Sequence, residues 1–188
     1  MEEIILRRPT LEDKEEATAY IKEFYDNGFK IHGCGGLDRF LKDSDYEAWL
    51  EKLDKDLNGP IDPGRVPSST FFGIRTSDNR IIGMIDVRHE LNEWLAIHGG
   101  HIGYGVRPTE HGKHYATKMT ELALRYCSDD LNLDKVLLTC DKSNPASAHV
   151  IINNGGVLEN EIIEEDGNVL QRYWINIPEV LNKNKHVI

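Results

Sequence analysis

Two runs of this chain carry the residue types that do chemistry: Val106-Arg107-Pro108-Thr109-Glu110-His111-Gly112-Lys113-His114-Tyr115-Ala116, and Cys140-Asp141-Lys142-Ser143-Asn144-Pro145-Ala146-Ser147. The first lies between an apolar stretch and a segment of helical periodicity. Such a junction presents unpaired backbone N–H groups together with the positive end of a helix dipole. Anions bind there without any net positive charge on the protein. The pairs His98-x-x-His101 and His111-x-x-His114 invite a metal reading, but no third ligand follows at a recognisable spacing, so no metal is expected. Cys140 could serve as a nucleophile only with a lowered pKa, and nothing near it in sequence supplies one; a buried strand thiol is expected.

These runs need a frame. Residues 4 to 8 read as a first strand, stopped by Pro9-Thr10. Thr10 can cap a helix in which Ala17, Tyr20, Ile21 and Phe24 fall at helical spacing and which Asn27-Gly28 ends. Cys34-Gly35-Gly36 marks a bend. Ser44-Asp45-Tyr46-Glu47 is a capping-box pattern, and Tyr46, Trp49, Leu50, Leu53 and Leu57 then line one face of a second helix closed by Gly59. Residues 59 to 69 hold three of the seven prolines and read as a loop. Thr70 to Arg75 and Arg80 to Glu90 form a hairpin around Ser77-Asp78-Asn79, followed by a strand from His101 to Val106.

The periodicity then predicts a helix over His114 to Cys127, a strand from Lys135 to Cys140 and a helix from Pro145 to the paired glycines 155 and 156. Two last strands, Val157 to Glu164 and Val169 to Ile177, are joined by Asp166-Gly167-Asn168. No repeat interrupts this order, and 188 residues make one domain over 1–188, with a core over about 4–177, the expectation.

Bulk properties exclude several roles. A formal charge of -10 argues against a nucleic-acid surface and mildly favours a cationic ligand through long-range steering. No apolar run reaches the roughly 18 residues a membrane span needs, and the acidic start of the chain is the reverse of a secretory signal. Three widely spaced cysteines form neither a disulfide framework nor a redox pair, which points to a cytoplasmic location.

With the element order in place, the 106–116 run resembles the GNAT superfamily of N-acetyltransferases, whose signature at this junction runs V-x-P-x-x-R/Q-x-x-G-x-G/A. Val106, Pro108 and Ala116 match it; His111 stands where the family has Arg or Gln, and His114 where it has its first glycine. The 140–147 run is similar to the strand, Asn-x-x-Ser and helix segment that lines the other wall of the family's cofactor slot. The resemblance implies an α/β (α+β) GNAT-like acyl-CoA N-acyltransferase fold: a mixed, mostly antiparallel sheet with helices on both faces, and strands ending at Val106 and Cys140 that run parallel and splay apart. It implies acetyl-CoA as cosubstrate. His111, Gly112, Lys113, His114, Tyr115 and Ala116 would take the pyrophosphate, and the backbone of Tyr104 to Val106 the pantetheine arm. Asn144 would lie near the pantetheine or acetyl region and Ser147 near the phosphates.

The activity so implied is transfer of an acetyl group to an amine of a small molecule or peptide by direct attack in a ternary complex. That reaction requires a neutral nitrogen, a polarised carbonyl and a proton for the departing thiolate. Glu90, sharing a strand face with Asp86 and Arg88 by alternation, is the first candidate base, followed by His101 and His98. Many relatives carry a Tyr acid seven residues after the Asn, but Ile151 stands there, which leaves Tyr173 as the candidate acid. The substitutions at 111, 114 and 151 make a non-catalytic acyl-CoA binding or sensing domain the alternative. The acceptor's identity is not legible, and an exposed edge at the C-terminal hairpin would permit a homodimer.

Overall fold

The computed structural model describes residues 2–43 and 45–184. Strands β1 (Ile4–Arg7), β2 (Ser68–Arg75), β3 (Arg80–Arg88) and β4 (Ile102–Val106) form one sheet in the order β1-β2-β3-β4. Strands β5 (Lys135–Asp141), β6 (Val157–Ile163) and β7 (Val169–Asn176) form a second in the order β5-β7-β6. Every ladder in both is antiparallel. The helices are α1 (Lys14–Asp26), α2 (Leu37–Phe40), α3 (Tyr46–Asn58), α4 (Tyr115–Asp129), α5 (Pro145–Asn153) and α6 (Ile177–Asn184).

Two apolar cores explain why helices cover both faces of the larger sheet. Tyr20, Ile21 and Phe24 of α1 and Trp49 and Leu53 of α3 pack on Phe72, Ile74, Ile81 and Met84; Met119, Ala123 and Leu124 of α4 pack on Ile82, Ile85 and Val87 from the other side. A bulge at Gly73/Ile74 lets Ile82 and Ile85, three residues apart, share a face. Gly73 and Gly83, partners in the ladder, let α4 lie close: a Cβ at either would stand 2.8 or 2.6 Å from Met119 Sδ. The position of α4 is what aims its N-terminus.

The two sheets meet at the starts of β4 and β5. The His101 amide donates to Leu137 O (2.7 Å), and the Leu137 amide donates to His101 Nδ1 (2.9 Å). No ladder joins the strands beyond that point, so one expected sheet is divided by a gap toward Val106 and Cys140.

Several expectations change. Short α2, the 3-10 turn Leu41–Asp43, the π-helical turn Leu95–Gly99 and α6 were not legible as periodicity. Asp45 caps α3, accepting from the Ala48 amide at 3.0 Å; Ser44 of the expected capping box lies outside the described residues. Strand β3 stops at Arg88, so Glu90 does not share a strand face with Asp86 and Arg88. The cause is local: the His89 amide still donates to Pro67 O (2.9 Å), but Pro67 has no N–H to return, and the ladder ends there. Among the described residues no helix is long and apolar enough to cross a membrane.

Candidate active site

The segment between β4 and α4 is held rigidly from beneath. Glu110, 2% exposed, accepts from Arg75 (3.0 Å), Arg80 (3.2 Å) and Lys113 (2.8 Å). Burial pushes its carboxyl upward, but the bonds from Lys113 and Arg75 outweigh it and hold the group below its ordinary value. Buried Arg107 donates to Ile81 O and pairs with Glu16 and Glu23; Glu23 in turn accepts from the Thr109 amide and hydroxyl at 2.9 and 2.8 Å. Thus α1, β2 and β3 all anchor the loop through ion pairs.

Its upper surface is open. Residues 111–114 are exposed, and among the described residues the amides of 112 through 117 meet no acceptor. His114, just ahead of α4, takes the left-handed conformation (φ 63°), as does Gly112 (φ 76°), the kind of backbone turn in which successive amides can form an anion-binding nest. A row of free amides at the mouth of a 15-residue helix fits a diphosphate. The side chains split: the Tyr115 ring turns inward and donates to Glu2 (2.9 Å), Lys113 bends to Glu110, and the His111 ring bonds Val106 O at 2.8 Å.

Along β4 the ladder decides which backbone groups are free. Arg88 N bonds His101 O and Arg107 N bonds Ile82 O, so Gly103 and Gly105 also turn their polar groups to β3, while those of Ile102, Tyr104 and Val106 face the gap. Tyr104 and Val106 therefore offer the edge that an extended arm could pair with, although His111 already holds the Val106 carbonyl. Across the gap, Asn144 caps α5 by accepting from the Ser147 amide (3.1 Å), and the Ser147 hydroxyl bonds the Tyr104 phenol at 2.8 Å. Burial raises that phenol, which stays protonated at neutral pH.

At the other end of β4 lies a cavity of about 550 Å³, walled by the glycine bend, α2, the 59–67 loop, the end of β3 and the π-helical turn. Gly33 seats the bend on β4: it has φ 67°, and a Cβ there would fall 2.5 Å from Tyr104 Cα. Asp86, 8% exposed, lines the cavity and accepts from the Thr70 hydroxyl at 2.8 Å. A smaller hollow of about 390 Å³ between Arg8 and α3 is remote from β4.

The candidate proton carriers are scattered. Glu90 is exposed and lines neither cavity, whereas Asp86, missed in sequence, does. His101 is buried at the seam, and burial lowers its imidazole to about 4. His98 pairs with Glu164 at 3.0 Å, so the two histidines serve different partners. Tyr173 is 4% exposed, its phenol donating to Gln171 (2.8 Å) and raised by burial. Burial also pushes the Cys140 thiol up to about 11, which keeps it protonated at neutral pH. Among the described residues no group of three or more His, Cys, Asp or Glu could hold a metal.

Comparison with known proteins agrees with this geometry. The family profile described as an acetyltransferase (GNAT) domain matches residues 3–157. A chimera of the Vibrio cholerae spermidine N-acetyltransferase is 21% identical with a TM-score of 0.65, over 95% of this chain and 98% of its own. The Vibrio cholerae enzyme in complex with CoA and spermine is 21% identical with a TM-score of 0.61, over 95% and 98%. A GNAT-family acetyltransferase from Bacillus anthracis is 18% identical with a TM-score of 0.60, over 95% and 98%. No curated protein matches the sequence. The profile spans most of the chain and includes the β4–α4 loop: this protein belongs to the GNAT acetyltransferases, the acetyl-CoA-dependent N-acetyltransferase family.

Proposed function

We propose that this protein acetylates an amine of a small molecule or peptide by direct attack on acetyl-CoA in a ternary complex. The observation that carries the reading is the row of amides from 112 to 117, unpartnered among the described residues, at one end of β4 with a 550 Å³ cavity at the other. Five residues of strand separate these ends by about 17 Å, so an arm anchored at the loop and laid along Tyr104 and Val106 would carry its thioester toward the cavity. His111, Gly112, Lys113, His114, Tyr115 and Ala116 form the diphosphate end of that reading, with Asn144 and Ser147 opposite.

The amine nitrogen bonds to the thioester carbonyl carbon, the C–S bond breaks, and the thiolate leaves with a proton. Asp86, held by Thr70, is the carboxylate that would hold the acceptor nitrogen and take the proton it loses as the amide forms, in preference to Glu90. The Tyr104 phenol, which spans the gap and keeps its proton, is better placed to supply the thiolate than Tyr173 in the core. His101 acts as a seam residue in this reading. A covalent acetyl-cysteine route is disfavoured by the protonated Cys140.

Three buried free cysteines fit a reducing, cytoplasmic setting, and β6 as an edge strand exposing Val157 and Ile163 supports strand-to-strand dimerisation. The solved relatives named for spermidine make polyamines the first acceptors to try. The test is thiol release from acetyl-CoA with an amine panel, joined to calorimetry with coenzyme A. Tight binding with no turnover of any amine would leave a sensing domain on this fold.

A further inference from the structure

We infer that the acceptor is an amine whose own molecule carries an anion, a carboxylate or a phosphate, with its nitrogen at Asp86 and its anion at the guanidinium groups of Arg39 and Arg65. This rests on the acetyl-transfer reading above and narrows it to a substrate class.

The wall of the 550 Å³ cavity runs opposite in charge to the chain. The protein carries -10 overall, yet Arg39, Lys52, Arg65 and Arg88 line the cavity against only two carboxylates, Asp38 and Asp86. The cations are incompletely neutralised. Lys52 and Arg65 both lean on Asp56, a 6% exposed carboxylate behind the wall, so one negative charge answers two positive ones. Arg88 donates to the carbonyls of Gly99 and Gly100 at 3.1 and 3.0 Å and stands 3.9 Å from Asp86. Arg39 meets no carboxylate within 4.0 Å among the described residues.

The groups are also sorted by depth. Asp86 is buried and pairs across the ladder with Gly103 of β4, the strand along which the acyl arm would lie. Arg39 and Arg65 are exposed. An amine entering first would meet the carboxylate next to β4, and an anion trailing it would remain among the arginines. A planar guanidinium matches either a carboxylate or a phosphate in geometry. A concave site with surplus cations repels a polycation and concentrates an anion. Only a molecule with both charges satisfies both sets of wall groups.

Matched pairs test this: lysine against pentane-1,5-diamine, and phosphoethanolamine against ethanolamine, with spermidine as the polycation. Acetyl transfer is followed by thiol release and product mass, and each amine is also titrated calorimetrically into the coenzyme A-loaded protein. The anion-bearing member of one pair is expected to exceed its partner by about tenfold or more in kcat/KM, and the pair that responds tells carboxylate from phosphate. The double variant Arg39→Gln, Arg65→Gln should raise KM for that amine by about tenfold while kcat, coenzyme A affinity and Tm hold. Equal or better use of the anion-free partners or spermidine, an unmoved KM in the variant, or no binding of any anion-bearing amine overturns the inference. In those cases acetyl transfer itself stands if any amine is turned over. Failure of coenzyme A to bind, read separately, brings down the acetyl-transfer reading and this one with it.

Discussion

The two ends of β4 are built by opposite means. At its C-terminal end the proposed ligand surface is backbone: the amides of 112–117, which meet no acceptor among the described residues, with buried ion pairs locking the loop from below. At its N-terminal end the surface is side chain, drawn from β3, α2, α3 and two loops far apart in sequence and resting on a glycine bend. A backbone site is indifferent to which side chains decorate it, so His can stand at 111 and 114 without abolishing the row of donors. A side-chain site changes its ligand whenever its residues change. The first end therefore identifies the family, and the second distinguishes this member within it.

The largest test of the contrast removes the anchor under the backbone end. Glu110→Ala removes the buried carboxylate shared by Arg75, Arg80 and Lys113; because Asp78 still pairs Arg75, the loss should lie at the lower end of the about 3–5 kcal/mol for a broken buried pair. Urea denaturation should read that loss. In any fraction that remains folded, coenzyme A affinity should fall while the acceptor cavity keeps its affinity for amines. Because the folded Glu110 carboxyl sits below its ordinary value, its contribution is complete above the unfolded carboxylate range and disappears as pH falls through the folded value.

Next in size is the seam between the ends. His101 is neutral when folded, lowered to about 4 from 6.5, so the unfolded chain takes up a proton first as the solution is acidified. Stability is full above pH 6.5 and declines as pH falls from there toward 4, by up to roughly 3 kcal/mol. Urea midpoints at pH 7.5 and 5 measure the slope, and His101→Gln, which can still accept from the Leu137 amide, should flatten it. An unchanged slope in that variant would assign the pH dependence to other groups.

How much was readable in advance follows the same division. Val106, Pro108 and Ala116 mark the backbone end because a strand, a turn and a helix N-terminus are local events written in consecutive residues. The anchors Arg75, Arg107 and Glu110 were not identified, since pairing across 35 to 91 residues leaves no local pattern. Glu90 reads as sharing a strand face with Asp86 and Arg88 because alternation continues on paper past Arg88, whereas the strand ends where Pro67 on its partner has no amide to give. The cationic cavity wall is invisible in sequence for a similar reason: Arg39, Lys52 and Arg65 look like solvated charges until the fold brings them around one cavity.

A smaller and more selective effect is expected at the side-chain end. Gly33→Ala adds a Cβ 2.5 Å from Tyr104 Cα at a residue with φ 67°, so the bend must lift off β4. The cost is about 1–3 kcal/mol. Acceptor KM should rise while the coenzyme A Kd holds, because the 112–117 amides lie at the far end of the strand. Equal damage to both constants would mean that the ends are mechanically coupled.

The smallest effect separates backbone from side chain at a single residue. His114 holds a left-handed conformation that costs an L residue about 1–2 kcal/mol relative to glycine, and it does so where the family has its glycine. His114→Gly removes that strain at the price of a floppier unfolded chain, so the net gain in stability should stay within about 1 kcal/mol. Coenzyme A affinity carries the sharper message. If the amides alone grip the diphosphate, an unencumbered backbone approaches it more closely and calorimetry shows tighter binding. If the imidazole is itself a phosphate contact, binding weakens, and the backbone end of β4 turns out to depend on a side chain after all.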